Sequence, residues 1–433
     1  MTRWRPETLG DLIDVKHGYA FKGELFAEEG ERLVLKPGNF PVGGGIRLRP
    51  GKDAYYTGDY PPEFDLEPGD LLVVMTDLTQ AAPILGSPAF VPDGTAMLHN
   101  QRLGLVRVKP GVDVDRRFLY YTMLSDTSRS QIRATATGAT VRHTAPERIY
   151  RVVIAVPDLP VQEIIGDVLG SIDDLIGNNR RRVAVLEEMA RAVYREWFVN
   201  FRYPGHENVT LVDSAQGSIP KGWTWGRLND LVRIVKDSVD PSTLAADTPA
   251  VGLEHIPRRQ ITLDDWGAAR DQGSRKALFA KGDILFGKIR PYFHKVSVAP
   301  VDGICSTDAI VIRPRETHWG EVVMVVSSPE FVAYATRTSN GTKMPRADWK
   351  VLGDWPVAVP PDQIAQKFSS LVRDELELAE HLMLENRRLI SLRDMLLPKL
   401  VTGQIDVSML DLDAQPSPGS TGDGPSIARG AVA

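Results

Sequence analysis

Side chains that can hydrogen-bond to a nucleic acid concentrate in a few loops of this sequence. Asn100-Gln101-Arg102 lies between an apolar residue and a predicted strand, and these three residue types pair with the edges of adenine and guanine. The candidate DNA contacts are Asn100, Gln101, Arg102, Arg133, Thr140, Arg142, His143, Lys288, Arg290, Tyr292, Thr342, Lys343 and Arg346. For each of them, a solvent-exposed polar loop is the alternative interpretation.

Two of these loops have the same form. Thr137-Gly-Ala-Thr140 precedes Arg142-His143, and Ser339-Asn-Gly-Thr342 precedes Lys343-Met-Pro-Arg346. Turns of small residues let the backbone approach a phosphate while long Arg and Lys side chains reach the base edges. A merely solvated charged surface is the competing interpretation.

Catalytic motifs are present only as fragments. Gly282-Asp-Ile-Leu-Phe-Gly287-Lys288 has the spacing of a phosphate-binding loop, but Ile289 replaces the hydroxyl residue that would bind Mg²⁺. Its apolar centre predicts a turn into a core strand instead. Asn39-Phe-Pro41 and Gly43-Gly-Gly45 resemble only parts of a methyltransferase signature. The histidines lack ligand spacing and Cys305 is the only cysteine, so we expect no catalytic, cofactor or metal site in this chain.

The elements that must position the loops occur twice, in the same order and about 200 residues apart. The repeated phrases are Leu9-Gly-Asp-Leu-Ile13 with Leu228-Asn-Asp-Leu-Val232, Pro68-Gly-Asp-Leu-Leu72 with Lys281-Gly-Asp-Ile-Leu285, and Ile154-Ala-Val-Pro157 with Val357-Ala-Val-Pro360. Self-similarity over this distance indicates two similar modules. We therefore expect a protein that binds at two places.

Length and composition agree with two soluble modules. A chain of 433 residues with 42% hydrophobic and 25% charged residues suits two domains plus connecting elements. We see neither a charged-then-apolar leader at Met1-Thr-Arg-Trp4 nor an apolar run near 18 residues, so we expect a cytoplasmic protein without membrane contact. The net charge of -5 leaves the partner open, since a DNA reader needs only a local basic face.

Each module is predicted to be mixed α+β. Strands are expected at 32–36, 70–76, 104–109 and 151–156 in the first module, with one helix at 116–130. In the second module, strands are expected at 283–287, 309–313 and 355–359, with one helix at 321–337.

A long helix with an apolar stripe follows each module. The predicted seam residues are Ile165, Val168, Ile172, Leu175, Asn179 and Leu186 on the first helix, and Phe368, Leu371, Leu378, Leu382, Glu385, Leu389 and Leu392 on the second. Pro204-Gly205 ends the first helix, and Pro398 with Gly403 ends the second. One narrow stripe on each helix predicts that the two helices pair.

An antiparallel pairing of these helices gives a coiled coil with approximate two-fold symmetry. Each helix would be roughly 50 Å long, which matches about 15 base pairs of duplex. Asn179 and Glu385 interrupt the apolar stripes, either as exposed breaks or as residues that fix the register; counting Ile165 opposite Leu396 places Glu385 near Arg180. The predicted parts are a module at 1–157, a helix at 158–203, a module at 204–360, a helix at 361–410 and a disordered tail at 411–433.

Four phrases then point to a known family. Leu159-Pro-Val-Gln162 opens the first helix, Trp197-Phe-Val-Asn-Phe201 ends it, Ile219-Pro-Lys-Gly-Trp223 opens the second module, and Leu396-Leu-Pro-Lys-Leu400 stands near the end. In this order around a tandem repeat, they resemble the specificity subunits of type I restriction-modification enzymes over the whole chain except the tail.

The resemblance implies a non-catalytic subunit for DNA methylation and phage defence. Two target-recognition domains would each read half of a split duplex DNA sequence, and the helices would space them. The helices would also carry two methyltransferase subunits, with restriction or translocase subunits outside. S-adenosylmethionine, ATP and Mg²⁺ would be bound by those partner subunits. Two other functions stay open: a methyltransferase or NTPase acting alone, and a coiled-coil scaffold whose modules bind protein.

Overall fold

The computed structural model describes residues 4–49 and 51–407 and divides them into two compact units. Unit 1 contains the described residues up to Ile172 and from Leu392 onward, and unit 2 is Asp173–Ser391. The tail predicted at 411–433 lies outside the described residues. The first module belongs to unit 1 and the second module to unit 2.

The first module alternates short strands with short helices. Its strands are β1 Arg5–Thr8, β2 Ile13–His17, β3 Phe26–Ala27, β4 Leu33–Val34, β5 Tyr55–Tyr56, β6 Asp65–Leu66, β7 Leu71–Val74, β8 Thr76–Asp77, β9 Pro88–Phe90, β10 Met97–Leu98, β11 Leu103–Val108, β12 Arg142–His143 and β13 Val153–Val156. Its helices are α1 Leu9–Leu12, α2 Arg116–Leu124, α3 Asp126–Ala134 and α4 Pro146–Ile149.

After the helix α5 Leu159–Tyr194 comes the second module. Its strands are β14 Leu211–Val212, β15 Ile219–Pro220, β16 Thr224–Arg227, β17 Val232–Val235, β18 Ser238–Val239, β19 Pro249–Val251, β20 Gly267–Ala268, β21 Lys276–Phe279, β22 Ile284–Gly287, β23 Val296–Val298, β24 Gly303–Cys305, β25 Ala309–Pro314 and β26 Pro356–Val359. Its helices are α6 Trp319–Val326, α7 Pro329–Arg337 and α8 Trp349–Leu352, and α9 Asp362–Leu400 follows it.

Each module contains the same two sheets. The four-stranded sheet has the order β2-β11-β7-β9 in the first module and β17-β25-β22-β23 in the second, and all of its pairs are antiparallel. The five-stranded sheet has the orders β3-β5-β4-β10-β6 and β18-β21-β24-β19-β20. Four consecutive strands correspond, β5-β4-β10-β6 with β20-β19-β24-β21, and the fifth strand, β3 or β18, is added at opposite edges. The tandem repeat in the sequence is therefore a repeat of topology.

The central strand β7 shows why the sheets form. Leu71 and Val73 face the core cluster that contains the helices, whereas Leu72 and Val74 face the cluster between the two sheets. A strand buried on both faces reads as a continuous apolar run, because alternate side chains point to opposite sides. The equivalent strand β22 divides its residues between two cores in the same way.

The repeated Gly-Asp phrase forms the turn into this strand. In the first module, buried Asp70 accepts a hydrogen bond from the Glu67 amide at 3.1 Å and pairs with Arg107 on the neighbouring strand at 2.5 Å. Asp283 likewise accepts from the Ala280 amide at 2.8 Å, and the Arg313 guanidinium grips both of its oxygens at 2.6 Å. The structural interpretation of the Gly282 motif, a turn into a core strand, is confirmed.

The single helix predicted after the strands in each module is wrong, because a serine divides it. Ser125 ends α2 and caps α3, where its side chain accepts from the Ser128 amide, and Ser328 caps α7 by accepting from the Phe331 amide at 3.2 Å. Serine stabilises a helix N-terminus by satisfying an amide that has no partner within the helix. Pro329 at the first turn of α7 strengthens the break, since proline is favoured there.

The two long helices differ from the expected boundaries at their C-terminal ends. α5 gives way to a π-helix at Arg195–Val199, so regular α-helix ends before the predicted residue 203. α9 includes Pro398 in its last turn instead of ending there, and Gly403, with φ of 73°, follows the helix end at Leu400. Within the described ranges, neither these nor the shorter helices are long and apolar enough to cross a membrane.

The long helices pair antiparallel within unit 2. The Asn179 side chain donates to Glu385 Oε2 at 3.0 Å and to Asn386 Oδ1 at 3.2 Å, and the Phe198 and Phe368 rings meet at 4.7 Å. Rising numbers on α5 thus meet falling numbers on α9. Glu385 is bonded by Asn179 and not by Arg180, the partner that counting along the sequence suggested.

Several predicted seam residues occupy different faces. Asn179, Ile165, Phe368 and Leu382 are buried, whereas Val168, Ile172, Leu186, Leu371 and Leu389 are partly exposed. Leu175, Leu378 and Leu392 are 39%, 44% and 40% exposed, so their assignment to the buried seam is wrong. Ile176 and Ala379 are buried instead. Adjacent residues differ by about 100° around a helix, so at these two places the predicted stripe was one position away from the buried residue.

The helices also pack against the modules, so the prediction of one narrow stripe with one partner is incomplete. Ile165 and Leu169 belong to the first module's core, and Phe368 and Val372 to the second's. In unit 2, the buried Glu187 carboxylate accepts from the Ile261 amide, the Thr262 amide and the Thr262 hydroxyl at 2.7 to 2.9 Å. α5 is therefore attached to the second module by both apolar and polar contacts.

Candidate nucleic-acid interface

A concave polar surface forms on the first module where three of the predicted DNA contacts meet. Gln101, Arg102 and His143 line a cavity of about 330 Å³ together with His17 and Thr76. The Thr76 hydroxyl and His143 Nδ1 lie 3.0 Å apart, which connects strands β8 and β12. The surface offers neutral and cationic hydrogen-bonding groups from four chain segments.

Asn100 does not share this exposure. Its side chain is buried, and its Oδ1 accepts from the Arg102 amide at 3.0 Å, so it shapes the turn that presents Gln101 and Arg102. The base contact by Asn100 stays a prediction, and in this structure the side chain supports the loop itself. An Asn two residues before the amide it binds is a common turn signal, which could have indicated this role.

The hairpin loop at 138–142 lies beside the same surface. Its ends are closed by two backbone hydrogen bonds between Thr137 and His143, and a Cβ on Gly138, with φ of 97°, would meet the Val141 carbonyl at 1.9 Å. Only glycine fits that position. Thr140 is exposed at the tip, and Arg142 donates across the loop to the Gly138 carbonyl at 3.3 Å.

Arg133, also predicted to contact DNA, is held by its own helix. Its Nη2 donates to Asp126 Oδ1 and to Ser130 Oγ, both at 2.7 Å. The hydrogen bond from Arg133 lowers the pKa of Asp126. The Arg133 carbonyl accepts from Arg142 at 3.3 Å, so this residue supports the loop through its backbone.

The second module has the same strand register and backbone hydrogen bonds around its surface, an arrangement we call the frame. The Met75 amide donates to the Arg102 carbonyl at 2.9 Å, and the Lys288 amide donates to the Asp308 carbonyl at 3.0 Å. Asn340 and Arg346 close a hairpin with two backbone hydrogen bonds, as Thr137 and His143 do. The positions that match in strand register and hydrogen bonding are His17 with Lys236, Met75 with Lys288, Arg102 with Asp308, and His143 with Arg346.

The side chains on that frame differ from those of the first module. Arg346 Nη2 lies 3.7 Å from Asp308 Oδ1, and Lys288 is half-buried on the adjoining strand. Thr342 and Lys343 are exposed in the hairpin loop. At the four matched positions, three cations and one carboxylate thus replace the first module's two histidines, methionine and arginine.

A second loop of this module carries Arg290 and Tyr292. Arg290 has a left-handed backbone conformation, with φ of 50°. Its amide donates to the Pro345 carbonyl at 2.8 Å, and this hydrogen bond connects the loop to the hairpin. His294 Nε2 lies 2.8 Å from the Ser327 carbonyl, and burial lowers the pKa of His294. Tyr292 is half exposed between these anchors.

Sequence reasoning missed several residues of the two surfaces. His17 and Lys236 each stand eight residues after the first leucine of a repeated phrase, so the repeat itself could have found them. Asp308 was not recoverable that way, because the interval from the Gly-Asp turn to the matching position differs between the modules.

The comparisons with known proteins agree with this architecture. Residues 1–188 match the family model described as the type I restriction modification DNA specificity domain. The MjaIX specificity subunit of Methanocaldococcus jannaschii is 24% identical over 321 residues, 71% of this chain and 73% of that protein. The EcoDI specificity subunit of Escherichia coli is 24% identical over 270 residues, 57% of this chain and 60% of that protein.

A solved structure agrees at the level of fold. The S subunit of a type I restriction-modification system from M. genitalium superimposes with a TM-score of 0.57 at 14% identity, covering 92% of this chain and 96% of that one. Residues 1–188 thus match the DNA specificity domain of type I restriction-modification systems, and the chain is similar to specificity subunits of these systems.

Proposed function

We propose that this chain is a specificity subunit of a type I restriction-modification enzyme and that it reads a bipartite duplex DNA target, one half with each module. The observation that carries the proposal is the repeated frame with different side chains. The first module presents His17, Gln101 and Arg102, whereas the second presents Lys236 and Asp308 at positions of the same frame. Two copies of one surface with different hydrogen-bonding groups suit the reading of two different sequences.

The long helices act in this proposal as the spacer between the two readings. α5 and α9 contain 36 and 39 residues, which corresponds to roughly 55 Å of helix, or about 16 base pairs of duplex. The buried Asn179 and Asn386 pair supports a fixed register, because a polar contact inside an apolar seam is satisfied in only one alignment.

The chain performs no catalysis in this proposal and acts within a larger cytoplasmic assembly. Two methyltransferase subunits and restriction or translocase subunits would bind it, and those chains would hold S-adenosylmethionine, ATP and Mg²⁺. The family relationship supports these partners.

Module exchange tests the reading of two halves. Replacing residues 1–157 with the corresponding module of a relative should change one half of the methylated sequence and leave the other half intact, as measured by methylome sequencing. The reciprocal exchange of residues 204–360 is the control and should change the opposite half. Change in both halves, or in neither, after either exchange would refute modular reading.

A matched insertion tests the spacer. Adding one heptad to each helix, near Asn179 and Leu382, keeps the seam in phase and adds roughly 10 Å, about three base pairs of rise. The preferred gap between half-sites should lengthen, although three base pairs also rotate the second half-site by roughly 100° and can weaken binding. Selection from half-sites at every spacing measures the gap. An unchanged gap in a folded, extended protein would leave the helices as a passive scaffold.

A further inference from the structure

One carboxylate stands among the cations of the second module's surface. Asp308 occupies the position of Arg102 in the first module. Lys288 lies opposite Asp308 on the neighbouring chain segment, and the other matched positions of the surface hold the basic residues Lys236 and Arg346. A negative charge at such a surface is repelled by DNA phosphates, so it weakens nonspecific binding. A hydrogen bond from the amino group of a base to the carboxylate would compensate for this repulsion.

The structure leaves Asp308 able to make that contact. Its backbone is fixed, because its amide donates to Ser306 Oγ at 3.2 Å and its carbonyl accepts from Lys288 at 3.0 Å. Its side chain is 37% exposed, and Arg346 at 3.7 Å is too distant for a hydrogen bond but close enough to offset part of the charge. The carboxylate oxygens therefore keep acceptor capacity toward a ligand.

The groups that each base exposes in the major groove determine whether it can donate a hydrogen bond to a carboxylate. Adenine presents its N6 amino group beside N7, an acceptor that repels a carboxylate, and for this reason adenine pairs with Asn and Gln. Cytosine presents its N4 amino group without a neighbouring acceptor on the same base. Guanine and thymine offer acceptors there, which a carboxylate cannot satisfy.

We propose that Asp308 determines specificity in the second module by accepting a hydrogen bond from the N4 amino group of a cytosine in the major groove. This inference rests on the proposed function, since it assigns one base of the second half-site. Arg346 offsets part of the negative charge, and the hydrogen bonds of the Asp308 amide and carbonyl fix the backbone from which the side chain extends.

Methylome sequencing of host cells that express full-length variants tests the proposal. Asp308→Ala should relax one position of the second half-site, where the unmodified protein selects cytosine, and leave every other position unchanged. Asp308→Asn should shift that position toward adenine, because an amide donates to N7 and accepts from N6. Glu330→Ala removes another exposed acid from the same module and should change no preference.

A chemical substitution tests the hydrogen bond itself. Replacing the selected cytosine by 2-pyrimidinone, which lacks the 4-amino group, should weaken binding of the purified assembly by about 5- to 150-fold, the range for one good base contact. Asp308→Ala should bind both duplexes equally. An assembly whose methylation is lost in cells can still be compared on these two duplexes.

Three results would overturn the proposal. Asp308→Ala could bind all sequences more tightly with unchanged preferences, which would mean that the carboxylate only weakens DNA binding by charge repulsion. Asp308→Ala and Arg346→Ala could relax the same guanine, which would make Asp308 a support for Arg346. The unmodified second half-site could contain no selected cytosine on either strand. Absence of any bipartite motif in the methylome would instead refute the proposed function.

Discussion

The two modules share a scaffold but not a reading surface. Both use a buried aspartate paired with an arginine at the turn into the central strand, and a serine caps α3 in the first module and α7 in the second. On the surface, the matched positions hold Arg102 and Asp308, which differ in charge sign. The contacts that specify the fold are thus separated from those available to a ligand, which lets one frame present different chemistry.

One matched core position holds different titratable residues in the two modules. His99 is fully buried in the first module, and its Nε2 lies 2.9 Å from the Leu103 carbonyl, whereas Cys305 stands at the matching position in the second. Burial lowers the pKa of His99 to about 4 and raises the pKa of Cys305 to about 12. Acid should therefore affect the first module more than the second.

The largest expected effect tests the shared scaffold. Asp283→Ala should lower the free energy of unfolding of unit 2 by about 3 kcal/mol, because the Ala280 amide loses its acceptor and Arg313 loses both contacts. Asp70→Ala should cost about 2 kcal/mol in unit 1, since Arg107 makes one contact and is half exposed.

Tryptophan fluorescence during urea denaturation follows unit 2, which holds every tryptophan except Trp4. Hydrogen exchange of the first module's strands follows unit 1. Asp271→Ala, at an exposed acid, is the control and should change stability by under about 0.5 kcal/mol. Equal loss from all three substitutions would remove the structural role assigned to the buried pairs.

The next effect sharpens the difference between the cores. Burial keeps His99 neutral in the folded state until the pH approaches 4, whereas in the unfolded chain it protonates near pH 6.5, the ordinary histidine value. The free energy of unfolding is therefore unaffected by His99 above pH 6.5 and decreases as the pH falls toward 4. The first module should lose up to about 3 kcal/mol over that interval, measured by hydrogen exchange at equal denaturant. His99→Cys, which copies the second module, should flatten this dependence. An equal loss of stability in the two modules over this pH interval would contradict the role assigned to His99.

The smallest effects test the loops. Arg142→Ala in the first module and Lys343→Ala in the second should each weaken DNA binding several-fold and reduce the slope of log affinity against log salt by about one. Lys367→Ala, on the exposed face of α9, should leave the slope unchanged. Weaker binding at a constant slope would mean that the residue reads bases or shapes the loop.

Much of the scaffold was readable from the sequence because it depends on local patterns. The repeated phrases predicted two modules, and the apolar run after Asp283 predicted the core strand that β22 forms. The five-stranded sheet was not predicted, because most of its strands contain two or three residues and carry no period. Long-range pairing, and not local preference, creates those strands.

The surfaces were predicted less well than the scaffold. Gln101, Arg102 and His143 line one cavity, although the sequence had placed them only as separate loops, and the Asn100 side chain forms the turn. The identity of Asp308 as the counterpart of Arg102 depends on strand register, which insertions between strands conceal in the sequence. The charge contrast therefore becomes visible only when the folded modules are compared.

The attachment of α5 to the second module has a consequence for building chimeras. Two of the three hydrogen bonds that Glu187 receives from the module come from the main-chain amides of Ile261 and Thr262. Almost any residue supplies such an amide, so a foreign module that reproduces the local backbone path would satisfy the same carboxylate. For these two hydrogen bonds, compatibility between the helix and a grafted module thus depends on backbone conformation at two residues and not on which side chains stand there.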